Sequence, residues 1–315
     1  MNSVLAVDLG GTKLAVGIVD GRGRILASAV APTRRGSPAD VVAQARELAA
    51  SLDPIHASET RGPGDSSRTV LPRPQALGLS LPGILDPSGQ VLLRSPSSGW
   101  SGVPFTSLFS EAFGLPAAAG NDANACALAE SVMGGAKGMA SFFWMTVSTG
   151  VGGAFFADGR VLRGFRGMAG EVGHLVVRPG GAVCTCGNSG CLEAEAAGPA
   201  WTRKAIRIAP AWKGAAEAVA ADARSGGPLG LAVVDDVAEA LARGIGAVIN
   251  LFDPEAVFLG GGVAEASDLL IPRIENLLPA LILRSGTGGG PRILKSALGR
   301  EAGLLGAACL ALRAT

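Results

Sequence analysis

Histidine is nearly absent from this 315-residue chain, which has two, and cysteine is scarce at five. An odd cysteine count, with three of the five in one short stretch, argues against a disulfide framework and for a reducing compartment; the expectation is cytoplasmic. An excess of charge of one sign is also missing, because 27 Lys and Arg against 26 Asp and Glu leave a net charge of +1. That balance argues against a nucleic-acid partner, which needs a basic patch or tail. No secretory leader is expected, since Asp8 and Lys13 interrupt the first apolar stretch and no basic segment precedes it. One charge-free run, residues 138–157, is long enough to span a bilayer. Its middle is Ser148-Thr149-Gly150 and Gly152-Gly153, however, which divides it into two β-rich runs. It reads as a strand hairpin, and no membrane partner is expected. Hydrophobic residues are abundant, at 48%, and the length suits about two domains, each with its own core.

The scarce residues gather in residues 170–193, GEVGHLVVRPGGAVCTCGNSGCLE. His174, Cys184, Cys186 and Cys191 lie between Glu171 and Glu193. Three thiolates and one imidazole make a closed, four-ligand zinc site with no open catalytic position. Three buried reduced cysteines are the alternative, but the polar, Gly-rich spacing does not suit a core strand or helix. The two glutamates are either solvated surface charges or rigidly held acceptors for the hydroxyls of a polyol.

A pattern recurs along the chain. Residues 4–8, a Gly-rich turn, residues 14–19, Asp20-Gly21 and residues 24–29 read as strand, turn, strand, turn, strand. Residues 142–147, the turn Ser148–Gly153, residues 154–157, Asp158-Gly159 and residues 160–162 repeat it, down to Gly-Arg-Ile-Leu echoed as Gly-Arg-Val-Leu. Two such units predict two similar lobes, each offering a Gly-rich turn to a shared cleft. Helices are predicted over 38–52, 105–113, 125–133, 201–224 (split at Pro210), 234–252, from 267, and over 300–313. A loop is predicted over 53–74. The alternation with strands makes the class α/β.

In Asp8-Leu9-Gly10-Gly11-Thr12-Lys13, glycines after a strand let backbone N–H groups approach phosphate oxygens, with a hydroxyl and an ammonium beside them. An Asp at the strand end could face a nucleotide's Mg²⁺. An ordinary hairpin turn is the plain alternative, weakened by the matching turn at Ser148–Gly153. Asn121-Asp122 opens a helix; Asp122 suits a general base, although spacing alone favours a helix cap. Gly260-Gly261-Gly262 after a buried strand could admit a nucleobase or be a plain turn.

Together these motifs resemble the ROK family of sugar kinases and repressors, over essentially the whole chain. The resemblance rests on Asp8–Lys13, on Val147-x-x-Gly150-Val151-Gly152-x-Ala154-Phe155 followed by Gly164, Gly170 and Gly173-His174, and on Cys184-x-Cys186-Gly187-x-x-Gly190-Cys191-x-Glu193. It implies a two-lobed, actin-like ATPase (ribonuclease H-like) fold with a cleft between lobes. The small lobe is expected over 1–118, completed by a C-terminal helix over 300–315, and the large lobe with its zinc-binding loop over 119–299. The resemblance implies Asp122 as catalytic base, reversing the preference for a cap, with Asn121, Asp122, Glu171, His174 and Glu193 on the sugar. It implies His174, Cys184, Cys186 and Cys191 on structural Zn²⁺. The nucleotide would meet Asp8, Gly10, Gly11, Thr12, Lys13, Thr149, Gly150, Gly260, Gly261 and Gly262. The activity implied is an ATP- and Mg²⁺-dependent hexokinase acting on glucose, in a homodimer or homotetramer. N-acetylhexosamine and fructose kinases are the rival enzymes; Glu171 favours an unmodified hexose. A sugar-responsive repressor is disfavoured, because Asp8 leaves no room before it for a helix-turn-helix. Three departures stand out: Thr185 where the family usually has Gly, Ser97-Ser98-Gly99-Trp100 where it often has an Asn-containing run, and the long 53–74 loop.

Overall fold

A computed structural model describes residues 3–34, 36–52, 71–96, 98–283 and 290–314. Most of the predicted 53–74 loop, and Ser97, lie outside the described residues. The chain divides into two compact units, residues 1–133 with 163–168 and 301–315, and residues 134–162 with 169–300.

The first unit is built on a sheet whose strands come from apolar, β-branched runs. β1 (Ser3–Leu9) pairs antiparallel with β2 (Lys13–Asp20), and β2 with β3 (Ile25–Pro32). α1 (Pro38–Ser51) follows, with Pro38 in its first turn and Ser37 and Asp40 in a reciprocal capping box. β4 (Ala76–Leu81) then lies parallel to β1. The short strands β5 (Ile84–Leu85), β6 (Leu92–Arg94) and β7 (Ser101–Val103) form a small separate sheet before α2 (Phe105–Phe113). β8 (Ala117–Asn121) adds parallel to β4, and α3 (Asp122–Met133) leaves it. The strand order is β3-β2-β1-β4-β8.

The second unit repeats this order and sense. β9 (Ser141–Val147) pairs antiparallel with β10 (Val151–Ala157), which pairs with β11 (Arg160–Val161). Four helices follow: α4 (Leu192–Ala196), α5 (Gly198–Ile208), α6 (Ala216–Arg224) and α7 (Pro228–Phe252). β12 (Ala256–Gly260) lies parallel to β9, and after α8 (Ser267–Leu277), β13 (Arg292–Lys295) lies parallel to β12. The order is β11-β10-β9-β12-β13. Two copies of this mixed sheet, three antiparallel strands continued by two parallel ones, are the two similar units that the sequence pattern predicts, in the ribonuclease H-like fold that the resemblance implies. Phe143, Met145, Leu241 and Ile245, all fully buried, join β9 to α7 in the core. Each such side chain contributes about 1.5–3 kcal/mol by leaving water.

The boundaries differ from those expected. The first unit runs on through 119–133 and takes in 163–168, instead of stopping at 118. Register explains the first extension: Ser80 on β4 faces Gly120 on β8, so β8 belongs to the first sheet. α3 goes with it because the C-terminal helix (Ala302–Ala314) packs on α3 at Gly306, where an added methyl would lie 2.6 Å from the Ala125 backbone. The predicted 201–224 helix is α5 and α6, interrupted over 209–215, where Pro210 and Gly214 fall. Among the described residues no helix is long and apolar enough to cross a membrane, and the 138–157 run is the β9–β10 hairpin.

Candidate active site

In the first unit, chemistry collects at the carboxyl ends of the parallel strands, where ligands of open α/β sheets bind. Asp8 of β1 is level with Ser80 of β4, which is level with Gly120 of β8. Asp8 and the Asn121-Asp122 pair therefore stand about 10 Å apart, two strand spacings. Ser80 Oγ donates to Asp8 Oδ1 at 2.8 Å. Burial pushes the Asp8 carboxyl up, against Ser80 and the Lys13 charge, which pull it down. The turn after Asp8 is tight: Gly10 N–H donates to Lys13 O at 2.8 Å, and Thr33 Oγ1 donates to Gly10 O at 2.8 Å. Gly11, Thr12 and Lys13 are exposed on it.

The question of which residue caps α3 has a clear answer. Asn121 Oδ1 accepts the Asn124 N–H at 3.1 Å, the bond of an N-cap. Asp122 stands one position inside the helix, its Oδ1 accepting from Asn121 Nδ2 at 3.0 Å and from the Ala123 N–H at 2.9 Å. Asn121 Nδ2 also reaches Gly83 O, at 3.1 Å. The amide thus both starts the helix and orients the neighbouring carboxylate.

In the second unit the four metal-friendly groups converge. The ligand atoms of His174, Cys184, Cys186 and Cys191 lie within 4.8 Å of one another. Cys184 Sγ is 3.8 Å from His174 Nδ1, and Cys186 Sγ is 3.6 Å from Cys191 Sγ. Sulfurs about 2.3 Å from a tetrahedral zinc stand about 3.8 Å apart, so the donor set fits that ion. Burial, then the neighbouring Cys186 and Cys184 sulfurs, push Cys191 up to about 12; thiols so crowded ionise together when a dication shares their charge. A hairpin brings them together, with Val183 bridged to Ser189 and Val176 to Cys191. Gly190 closes it at φ 77°, where a side chain would strike the Arg178 carbonyl.

Glu193 leaves this hairpin on α4 and reaches the Gly-rich turn, its Oε2 accepting the Val151 N–H at 3.0 Å. The same turn is closed by Ser148 N–H on Gly150 O at 2.8 Å, and Ser148 O accepts the Gly198 N–H at 2.7 Å. Glu171 begins the short helical turn Val172–His174 and is open to solvent. The protein atoms around it push its carboxyl up, with His174 opposing and Glu193 adding.

Beside the turn is a pocket of ≈ 380 Å³ lined by Ser148, Thr149, Gly198, Trp201, Thr202 and Gly262, among others. That volume suits a small organic ligand. Gly261 next to it has φ 84°, and a side chain there would meet Thr146 Oγ1 at 2.7 Å. Thr149 and Gly262, two of the residues expected on a nucleotide, line this pocket, and the walls from α5 and α6 were not expected. Ala-rich helices carry no spacing signal for a pocket, although Gly198-Pro199 at a helix start marked where the backbone turns toward Ser148.

Known proteins are similar to this chain over nearly its whole length. A glucokinase of Thermotoga maritima is 32% identical, the match covering 98% of this chain and 96% of that protein. An N-acetylmannosamine kinase of Citrobacter koseri is 33% identical, covering 98% of each. Among solved structures, a ROK family glucokinase from Streptomyces griseus, in complex with glucose and AMPPNP, superposes with a TM-score of 0.84 at 29% identity, covering 99% of this chain and 100% of that one. The ROK family pattern matches residues 4–314, from the strand that carries Asp8 to the helix that closes the first unit, and this chain belongs to the ROK family.

Proposed function

We propose that this protein is an ATP-dependent hexokinase that transfers the γ-phosphate of ATP to the 6-hydroxyl of glucose. The observation that carries the reading is the Asn121–Asp122 pair. Asn121 takes over the capping of α3, and its amide fixes the Asp122 carboxylate just past the carboxyl end of β8, two residues beyond Gly120, which is level with Asp8. The full-length similarity to a structure solved with glucose and AMPPNP supports both substrates.

Asp122 accepts the proton of the 6-hydroxyl as that oxygen attacks the γ-phosphate in line. Asn121, Glu171, His174 and Glu193 hold the other sugar hydroxyls, which fixes the attacking oxygen. Gly10, Gly11, Thr12, Lys13, Thr149 and Gly150 hold the phosphates. Gly260, Gly261 and Gly262, with the pocket beside them, receive the adenosine. Magnesium, when bound with ATP, neutralises phosphate charge, and Asp8 would hold it, a buried carboxylate with a raised proton affinity being short of positive charge. Zinc, when bound to His174, Cys184, Cys186 and Cys191, supplies rigidity alone, as four protein ligands leave it no open position. The odd cysteine count, with three of the five gathered as metal donors, supports a cytoplasmic location, and the resemblance to its family supports a homodimer or homotetramer.

The test is an ADP-release assay over glucose, mannose, fructose, N-acetylglucosamine and N-acetylmannosamine, run on the parent and on Asp122→Asn. Glucose should be the best acceptor, and the variant should bind sugar but not turn it over. Near-parental turnover by Asp122→Asn would remove Asp122 from the role of base. A preference for N-acetylmannosamine would favour a second reading, which the similarity to the Citrobacter koseri protein supports.

A further inference from the structure

The second unit holds a closed charge cluster that the reaction does not use. Glu195 on α4 is 3% exposed and Lys204 on α5 is 5% exposed. Glu195 Oε2 accepts from Lys204 Nζ at 2.9 Å and from Arg178 Nη1 at 3.0 Å, while its Oε1 accepts the Ala182 N–H at 2.7 Å. Asp236 on α7 accepts from Arg178 Nη2 at 2.5 Å and also from Lys204. Two cations and two anions close a ring of no net charge, with Glu239 at its rim, 3.8 Å from Arg178.

Stability is a poor account of this ring. Desolvating four charges offsets most of what their attraction returns, and apolar side chains of similar volume often serve a core as well. Directional bonding to separate segments is what an apolar plug would lack. Arg178 and Ala182 belong to the hairpin that gathers the cysteines. α4 carries Glu193, whose carboxylate holds the turn at Val151. α5 opens at Gly198, bonded to Ser148 O, and gives Trp201 and Thr202 to the pocket. Between α4 and α5 there is only Ala197, an extended corner at φ −61° and ψ 160°. One extended residue leaves the angle between two helices to be set by side chains, and the Glu195–Lys204 bond spans that corner. Burial raises the Glu195 carboxyl, but the Ala182 N–H and Lys204 outweigh it and hold it below the usual glutamate value.

We propose that Glu195 and Lys204 are positioning residues that lock Glu193 and the α5 wall of the pocket into one frame, so that sugar and nucleotide bind in register. The identity of the two ligands rests on the kinase reading above; the corner and its tie do not. Lys204→Met, Glu195→Gln and the two combined test it in the full-length chain with its metal. Gln keeps an acceptor for Ala182, and Met replaces most of the lysine stem, so the double variant strands neither partner of the pair. The double variant should keep parental Tm and metal content while KM for hexose and KM for ATP both rise about tenfold, the scale of a small misplacement. Lys204→Arg, which keeps a donor at the corner, should restore both KM values. Parental KM values in the double variant would overturn the proposal, as would a rise for one substrate alone. A double variant that loses its metal or melts well below the parent would also overturn it, showing the ring to be a structural requirement of the hairpin. A parent that phosphorylates no hexose would refute the kinase reading, and this proposal with it, before any variant is compared.

Discussion

Gly303→Ala sets one methyl group against the carboxylate of Asp8. Gly303 is the second residue of the C-terminal helix, and a Cβ there would lie 2.5 Å from Asp8 Oδ1 and closer still to its other carboxylate atoms. Ordinary van der Waals contact begins at 3.4 Å, so the carboxylate has to move. It is the end of a short side chain tied to Ser80, and rotating away gives up that 2.8 Å bond. A hydrogen bond to a charged group contributes about 1.5–3 kcal/mol, and alanine in place of a helical glycine returns about 1 kcal/mol. The net loss of stability is about 0.5–2 kcal/mol, a few degrees of Tm. The loss of rate should be larger. A group misplaced by an ångström costs about a hundredfold, equivalent to about 2.7 kcal/mol of barrier. Thermal melting and ADP-release rates titrated with Mg²⁺ separate the two effects. The expected outcome is a small Tm shift, a fall in kcat/KM near a hundredfold and a raised Mg²⁺ requirement. A variant with parental rate and parental Mg²⁺ dependence would refute the assignment of Asp8.

Other expectations follow from the same geometry. Cys191→Ser should release zinc, measured by metal analysis, and raise KM for the sugar more than for ATP, because His174 and Glu193 are held by the hairpin. Stoichiometric zinc in that variant would count against the site. Gly78→Ala should destabilise by about 1–3 kcal/mol through overpacking, since a methyl on β4 would collide with the Ala307 carbonyl of the C-terminal helix; denaturant unfolding measures it, and an unchanged midpoint would contradict the packing. Burial raises the carboxyls of Glu195 and Asp236, but their hydrogen bonds outweigh it and hold both below their usual values. A lowered folded pKa gives stability that is present above the unfolded value and lost as pH falls through the folded one. Tm should therefore be level above about pH 5 and fall below about pH 4, less steeply in Glu195→Gln. Equal slopes in the two proteins would remove Glu195 from the acid transition.

Much of the fold was legible because it is written twice. The two strand–turn–strand runs mark β1–β2 and β9–β10, and their near-continuous apolar runs recur in the second unit. The echo misleads in its detail. Asp158 and Gly159, at φ 50° and 77°, make a tight two-residue hairpin turn. Asp20 instead buries its carboxylate and collects the Arg22 and Arg24 N–H groups, which makes a longer turn. The metal cluster was legible because its four donors are close in sequence. The owner of β8 and α3 was not, since parallel pairing between residues 77–81 and 117–121 leaves no local mark. Nor did spacing reveal that Asn121 is the cap: Asn and Asp are equivalent there until the hydrogen bonds are known. The Glu195–Lys204 tie is similarly silent, because a lysine in an Ala-rich helix reads as a solvated charge.

The C-terminal helix lies against β1 and β4 and brings Gly303 to Asp8. On the ribosome it is made after the whole of the second unit, so the first sheet waits, one face uncovered, while its duplicate can already fold. The lobe begun first is the lobe completed last. A chain stalled short of residue 302 would carry every residue assigned to the sugar, the metal and the phosphates, yet Asp8 would stand in an unfinished core. The order of synthesis thus closes the core around Asp8 only once residues 302–314 have been made.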